Sequence, residues 1–467
     1  MQIPILNGTF TDENAEFRTS YPVNMVPVPK EQGISKGYLR PADGIVSIGA
    51  GPGIDRGGIN WEGACYRVMG TKFVRVGPDG SVATLGEVGG PLGETVTLYA
   101  GFGRVGIASG GKLYYWDGAA LTQVTDPDLG TVVDFVWVDG YFMTTNGISL
   151  VVTELSDPLQ VNPLKYGSSE VNPDPIKAVR KIRDEVYALN RYTIEVFDNI
   201  GGDLFPFQRN AGAMIPKGVM GTHACCVYLE AIAFLGSGQN EAPGIYLGAN
   251  ASATKISTRE IDTILLGFTE GELGTALLET RNDRANQLLY VHLPDRTLVY
   301  DAVASQAVGE QVWFILTTAT EGFEQYRARN MVWCYDRWLV GDPQSSAVGY
   351  LSTSLSSHWG QKVRWEFGTA IVYNGGAGAI FHQLELVALT GRVPVGANPM
   401  ISTSYTLDGE TWSQEKFKAA GGAGDRSKRL LWLHQGKMRN WRIQRFRGDS
   451  DAFMTFARLE AQLEPLR

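Results

Sequence analysis

Between Trp61 and Thr353 the chain alternates short apolar runs with polar turns, at a period too short for helices. Runs such as Lys72–Val76, Lys112–Trp116, Phe135–Val138 and Tyr192–Phe197 are rich in β-branched and aromatic residues. These side chains pack well on a pleated, half-buried surface. Asp-Gly and Gly-Gly pairs separate many of the runs, as at Asp139-Gly140 and Gly110-Gly111. Such pairs supply the positive φ angles of tight hairpins, so neighbouring runs are expected to fold back on each other. Strand-turn-strand groups begin near residues 64, 102, 132, 176, 222, 277 and 328. Their spacing, about 30 to 55 residues, brackets the length of a propeller blade. The pattern predicts an all-β fold with a β-propeller of six or seven blades over 61–355. A pair of β-sandwiches is the alternative.

From His358 onward the strands lengthen, for example Val363–Tyr373, Gln383–Thr390 and Trp441–Phe446. They predict a C-terminal β-sandwich-like domain over 356–467. The first 60 residues differ again. Pro22, Pro27, Pro29 and Pro41 rule out helix and suit edge strands at most. Residues 1–60 therefore read as an extended N-terminal arm, apolar enough around Tyr21–Pro29 to lie over another domain or subunit. Helical pattern is confined to Thr269–Leu278, where Gly271 and Gly274 weaken it.

Composition narrows the function. Hydrophobic residues make up 44% and charged residues 19% of the 467, so a large core can be buried. The formal net charge is −8, whereas a general nucleic-acid binder needs surplus positive charge to displace counterions. No window of about 18 apolar residues occurs, so no membrane span is expected. Met1–Phe10 lacks the basic and apolar regions of a signal peptide. Cys65, Cys225, Cys226 and Cys334 have no paired metal spacing and read as reduced, buried thiols of a chain made in a cytosol.

The strings that carry chemistry elsewhere are weak here. Gly101-Phe102-Gly103-Arg104-Val105-Gly106 matches a dinucleotide fingerprint, but the residues after it read as strand and turn. The fingerprint works by placing a pyrophosphate at a helix N-terminus. His223, His292, His358, His382 and His434 form no metal-binding string, and no nucleophile elbow or phosphate loop is present. No catalytic residue, metal or cofactor is expected. One concentrated charge feature remains: Arg426, Lys428, Arg429, Arg439, Arg442, Arg445 and Arg447, interleaved with Trp432. Guanidinium forks beside aromatic faces suit a subunit or partner interface. The plainer reading is a solvated strand face, with Arg442 and Gln444 outward and Trp441 and Ile443 inward.

Three segments taken in order resemble the tail-nozzle family of short-tailed bacteriophages, also called packaged DNA stabilization proteins or tail accessory factors. The first is Tyr21-Pro22-Val23-Asn24-Met25 followed by Gly37-Tyr38-Leu39-Arg40-Pro41-Ala42-Asp43-Gly44-Ile45. The second runs from Leu278-Glu279-Thr280-Arg281 through His292-Leu293-Pro294 to Leu298-Val299-Tyr300-Asp301, with Trp313 beyond. The third runs from Lys428-Arg429-Leu430-Leu431-Trp432 through Arg442-Ile443 to Leu459-Glu460. Asp43 stands where the family usually has proline.

The resemblance implies a virion tail protein made in the host bacterial cytoplasm. It implies a homo-hexameric ring below the portal and its head-to-tail adaptor. A tail needle would plug the ring, and tailspikes or tail fibres would lie beside it. Double-stranded DNA would pass through without sequence-specific binding. If six chains form such a ring, their negative charge predicts an acidic, polar lumen, with the arginine cluster facing partners. A propeller enzyme or a binding module acting on host surface polysaccharide is the alternative; Trp333 and Trp338 could serve the latter.

Overall fold

The computed structural model describes residues 1–6, 9–13, 16–30, 35–155, 157–202, 204–284 and 286–466. Among them, seven antiparallel sheets of four or five strands follow one another along the chain. They span 55–87, 97–123, 134–168, 176–209, 218–255, 277–316 and 329–352, and are called blades 1 to 7 here. The first strand of each blade packs against the first strands of its two neighbours, and blade 7 returns to blade 1. The ring is thus closed, which leaves no long sheet edge exposed. It is a seven-bladed propeller, and the paired-sandwich alternative does not hold.

The hairpins form where the glycine pairs stand. Val138 pairs with Tyr141 around Asp139 and Gly140, whose φ angles are 46° and 91°. Ser109 pairs with Lys112 around Gly110 and Gly111, at 57° and 76°. The fingerprint-like string is one more hairpin: Gly101 pairs with Arg104 across Phe102 and Gly103.

The arm expected over 1–60 divides between two domains. Gly44–Ala50 is the outermost strand of blade 7, pairing with Ala347–Ser352, and Asp55–Trp61 is the first strand of blade 1. The preceding strands Gln2–Ile3, Met25–Pro29 and Gly37–Pro41 join Thr455–Pro465, Ala379–Leu389 and Leu430–Leu433 in one sheet of the sandwich. The second sheet runs Trp365–Gly368, Trp441–Gly448, Met400–Thr406, Lys416–Ala419. Ile3, Met25 and Leu39 are buried with Trp365, Phe381, Phe446 and Phe456 between the sheets. Apolar alternation told the arm to be covered, but not by what.

Helix is scarce, as expected, but lies at other places too. Glu270–Gly274 forms under a capping box of Thr269 and Glu272. Arg259–Leu266 and Ala302–Val308 are additional helices, started by Thr258 and Asp301 as N-caps. No helix is long and apolar enough to cross a membrane among the described residues.

Candidate docking groove and propeller axis

The Tyr21–Met25 segment stitches the two domains together. Asn24 donates through Nδ2 to the carbonyls of Thr317 (2.9 Å) and Arg364 (2.7 Å), and its Oδ1 accepts from the Thr317 amide at 3.0 Å. Val23 forms a bridge to Glu366 of the sandwich. Further along, Arg40 and Asp43 enter a buried ionic cluster with Arg281 and Asp283 of blade 6. The flanking guanidinium groups hold the Asp43 carboxyl below the usual carboxylate range, against the opposing effect of burial. Asp43 thus bonds two arginines. His292 lies nearby, stacked between Tyr290 and Tyr326, with Glu279 at 2.7 Å and Thr297 at 2.9 Å.

The C-terminal basic cluster does not form one surface. Arg442 is fully buried and Trp432 is 4% exposed. Arg442 lies between the rings of Phe381 (4.1 Å) and Tyr405 (3.7 Å) and donates to Gln444 and to the Gln435 carbonyl. Burial lowers its pKa to about 10. Trp432 donates to the Lys416 carbonyl at 3.0 Å. Neither can meet a partner. Against the expected alternation, Arg442 and Gln444 are as buried as Ile443, and with Phe446 they face the sandwich interior. The strand is the centre of its sheet, so even its polar positions are covered. Arg426, Lys428 and Arg439 are exposed. Arg429 is exposed too and makes a bidentate pair with Glu385 (2.7 and 2.6 Å) on the outer face of the first sheet.

Arg445 and Arg447 project from the outer face of the second sheet, away from Arg429. Arg447 pairs with Glu366 (2.6 Å) and Glu415 (3.4 Å). Arg445 stacks on Trp412 at 3.8 Å and reaches Ser404; burial lowers its pKa to about 10. Beside Arg447, a groove of about 580 Å³ runs between this sheet and the propeller loop Thr320–Gly322, with Met400 and Phe417 on its wall. An adjoining hollow of about 470 Å³ reaches Arg296, Arg364 and the helix Arg259–Leu266. Phe323 is held between the guanidinium groups of Arg296 (3.9 Å) and Arg364 (4.8 Å). Arginine, methionine and aromatic side chains around a groove are the composition of a protein interface. Of the residues the sequence singles out, Arg447 lines this groove; Arg296, Arg364 and Phe323 come beside it only through the tertiary fold.

The propeller axis is bridged by polar groups. Asp134 of blade 3 accepts from Thr97 of blade 2 (2.6 Å) and from Arg180 of blade 4 (2.5 Å). Arg180 also donates to the Thr222 carbonyl of blade 5 at 2.8 Å. His223 of blade 5 meets the Thr95 carbonyl, just before blade 2, at 3.1 Å. Burial pushes the His223 pKa down to about 4, so the ring is neutral and donates through Nε2. A cavity of about 670 Å³ opens above this network. Cys65, Cys225 and Cys334 are buried free thiols and Cys226 is half-buried. Trp333 and Trp338 form an edge-to-face pair at 5.4 Å on blade 7.

The family model described as Bacteriophage P22 Gp10, beta-propeller, matches residues 1–356. The one described as Bacteriophage P22 Gp10, beta-sandwich, matches residues 364–464. The tail hub protein gp10 of Salmonella phage P22 is 29% identical over 461 residues, covering 94% of each chain. Among solved structures, streptogramin B lyase aligns with a TM-score of 0.42 at 10% identity, over 66% of this chain and 97% of its own. The Neurospora crassa Pan2 WD40 domain aligns with a TM-score of 0.42 at 9% identity, over 67% of this chain and 96% of its own. These two similarities are too slight to carry a functional argument.

Proposed function

Because the chain belongs to the P22 Gp10 family through both its propeller and its sandwich, we propose that it is the structural hub of a short phage tail. The observation that carries this is the collinear match to a tail hub protein over 94% of both chains. In this reading six copies form a ring below the portal and the head-to-tail adaptor. The ring completes the DNA exit channel, retains packaged DNA behind a tail needle, and stands beside tailspikes or fibres. Its work is mechanical, with no hydrolytic step.

The duplex would run between copies. A single propeller has hydrogen bonds across its axis between blades 5 and 2, while the major groove of B-DNA alone is about 12 Å wide. The groove beside Arg447 is where a neighbouring copy or the adaptor docks. Purified particles imaged with an antibody to this chain test the assignment. Label is expected at the tail, just below the portal vertex. Label over the capsid shell, or none on intact virions, would overturn it.

A further inference from the structure

The cavity above the propeller axis has two features that a ring-forming role does not require. The first is a break in the inner wall. In blade 5 the first strand is split into Gly218–Val219 and Cys225–Tyr228, both paired with Ala231–Ser237. Met220 and Ala224 both stay bonded to Leu235, and residues 221–223 loop out between them, which brings Thr222 and His223 to the axis. Irregular strands of this kind re-aim side chains and are common next to ligand sites. A second irregularity lies opposite, where the register of blade 7 shifts between Arg329 and Val332 and Asn330 takes φ 54°.

The second feature is Arg329 itself, on the cavity wall. Arg329 is half-buried; the buried guanidinium groups of Arg56, Arg67, Arg180 and Arg281 have acceptors. Arg67 pairs with Asp55, Arg180 with Asp134, and Arg281 with Asp43. Arg56 donates to three carbonyls and Ser109. Arg329 Nε is buried and bonds to nothing among the described residues, and no carboxylate pairs with this side chain there. Glu279, whose charge reaches it, already uses one oxygen on His292 and the other on the Met331 amide. A half-buried guanidinium on a cavity wall, without a carboxylate partner among the described residues, leaves its donors open to an incoming acceptor.

We propose that the axial cavity is a binding site for a single carboxylate group, received by Arg329. The planar fork of arginine matches a carboxylate in a bidentate pair. Glu94, the one carboxylate lining the cavity, and Glu279 behind the wall repel a doubly charged phosphate more than a singly charged carboxylate. Thr131 adds a hydroxyl donor and Thr275 also lines the cavity, while Thr97 already donates to Asp134 and neutral His223, its Nε2–H on the Thr95 carbonyl, adds no charge. The carboxylate could belong to a small free acid or to an Asp or Glu side chain of a polypeptide segment inserted from a partner.

Titration calorimetry on the full chain separates these. The probes are acetate, a blocked Gly-Asp-Gly peptide and inorganic phosphate. One-site binding of a carboxylate probe is expected, weakened at least about tenfold in Arg329→Gln and abolished in Thr275→Trp, which blocks the mouth. Equal binding of acetate and peptide points to a free acid; binding of the peptide alone points to a partner segment. Absence of heat with both carboxylates overturns the proposal. So does binding unchanged in both variants, or phosphate binding as tightly. Should Arg329→Gln lose its folded circular dichroism, the exposed Thr275 variant decides.

Discussion

At the scale of the residue, Arg442 carries the sharpest contrast between a charge pattern and its use. With Phe381 and Tyr405 on its two sides and Gln435 and Gln444 at its nitrogens, it fills the sandwich interior. Arg442→Ala should cost about 3 kcal/mol in urea unfolding, the range of a lost buried polar network with its cavity, whereas Arg426→Glu should stay within about 0.5 kcal/mol. Strand alternation in the sequence separates two faces, but nothing in it says which face a second sheet covers, so an arginine beside a tryptophan read as surface. The histidines set the pH response. Burial lowers the pKa of His223 to about 4 and of His358 to about 3, and that of His292 also falls. Unfolded histidine titrates near about 6.5, so between these values the unfolded chain binds protons that the folded chain refuses. Their contribution is present above that value and is lost as pH falls toward 4. Asp301, raised to about 6 chiefly by burial, and Asp55, also raised by burial, act the other way, favouring the fold at low pH, but are two groups against three. The urea midpoint should therefore be lower at pH 5 than at pH 7; an equal or higher midpoint at pH 5 would contradict this.

At the scale of the element, local signals were readable and distant pairings were not. The hairpins at Asp139-Gly140 and Gly110-Gly111 follow from two residues each, because turn geometry is decided where the turn stands. The partner of Gly44–Ala50 lies about 300 residues away, and alternation carries no address for it. Seven blades became countable only once that strand was seen to complete the last one. The ionic cluster of Arg40, Asp43, Arg281 and Asp283 fixes this N-terminal segment onto blade 6. Asp43→Ala would leave Arg40 and Arg281 short of a carboxylate in the interior. A loss of about 3 to 5 kcal/mol follows, read as a lowered unfolding midpoint and earlier proteolysis within residues 1–50. The candidate groove was half legible for the same reason: Arg447 belongs to the basic cluster, whereas Arg296 and Arg364 come from blade 6 and the domain junction.

For the whole molecule, the groove beside Arg447 is the proposed docking surface. Replacing Arg445 and Arg447 with glutamate should leave the monomer's circular dichroism unchanged and block tail assembly; normal particles from that variant would exclude the groove. In a six-membered ring, chains of −8 each would place a negative field around the exit channel. It would hold the duplex off the wall over about 8 Å at physiological salt without the drag of phosphate contacts. A structure of the ring showing a lumen lined mainly by lysine and arginine would refute this. The N-terminal strands also set a timetable for biosynthesis. Blade 7 needs Gly44–Ala50 beside Ala347–Ser352, and the sandwich needs the hairpin of Met25–Pro29 and Gly37–Pro41 joined, through Gly37–Pro41, to Thr455–Pro465. At about 5 to 20 residues per second, the early strands wait tens of seconds for partners not yet synthesised. A nascent chain cut short before Thr455–Pro465 lacks a central strand of the sandwich. Incomplete translation products would thus be barred from the growing virion by their own geometry, a proofreading step that needs no dedicated factor.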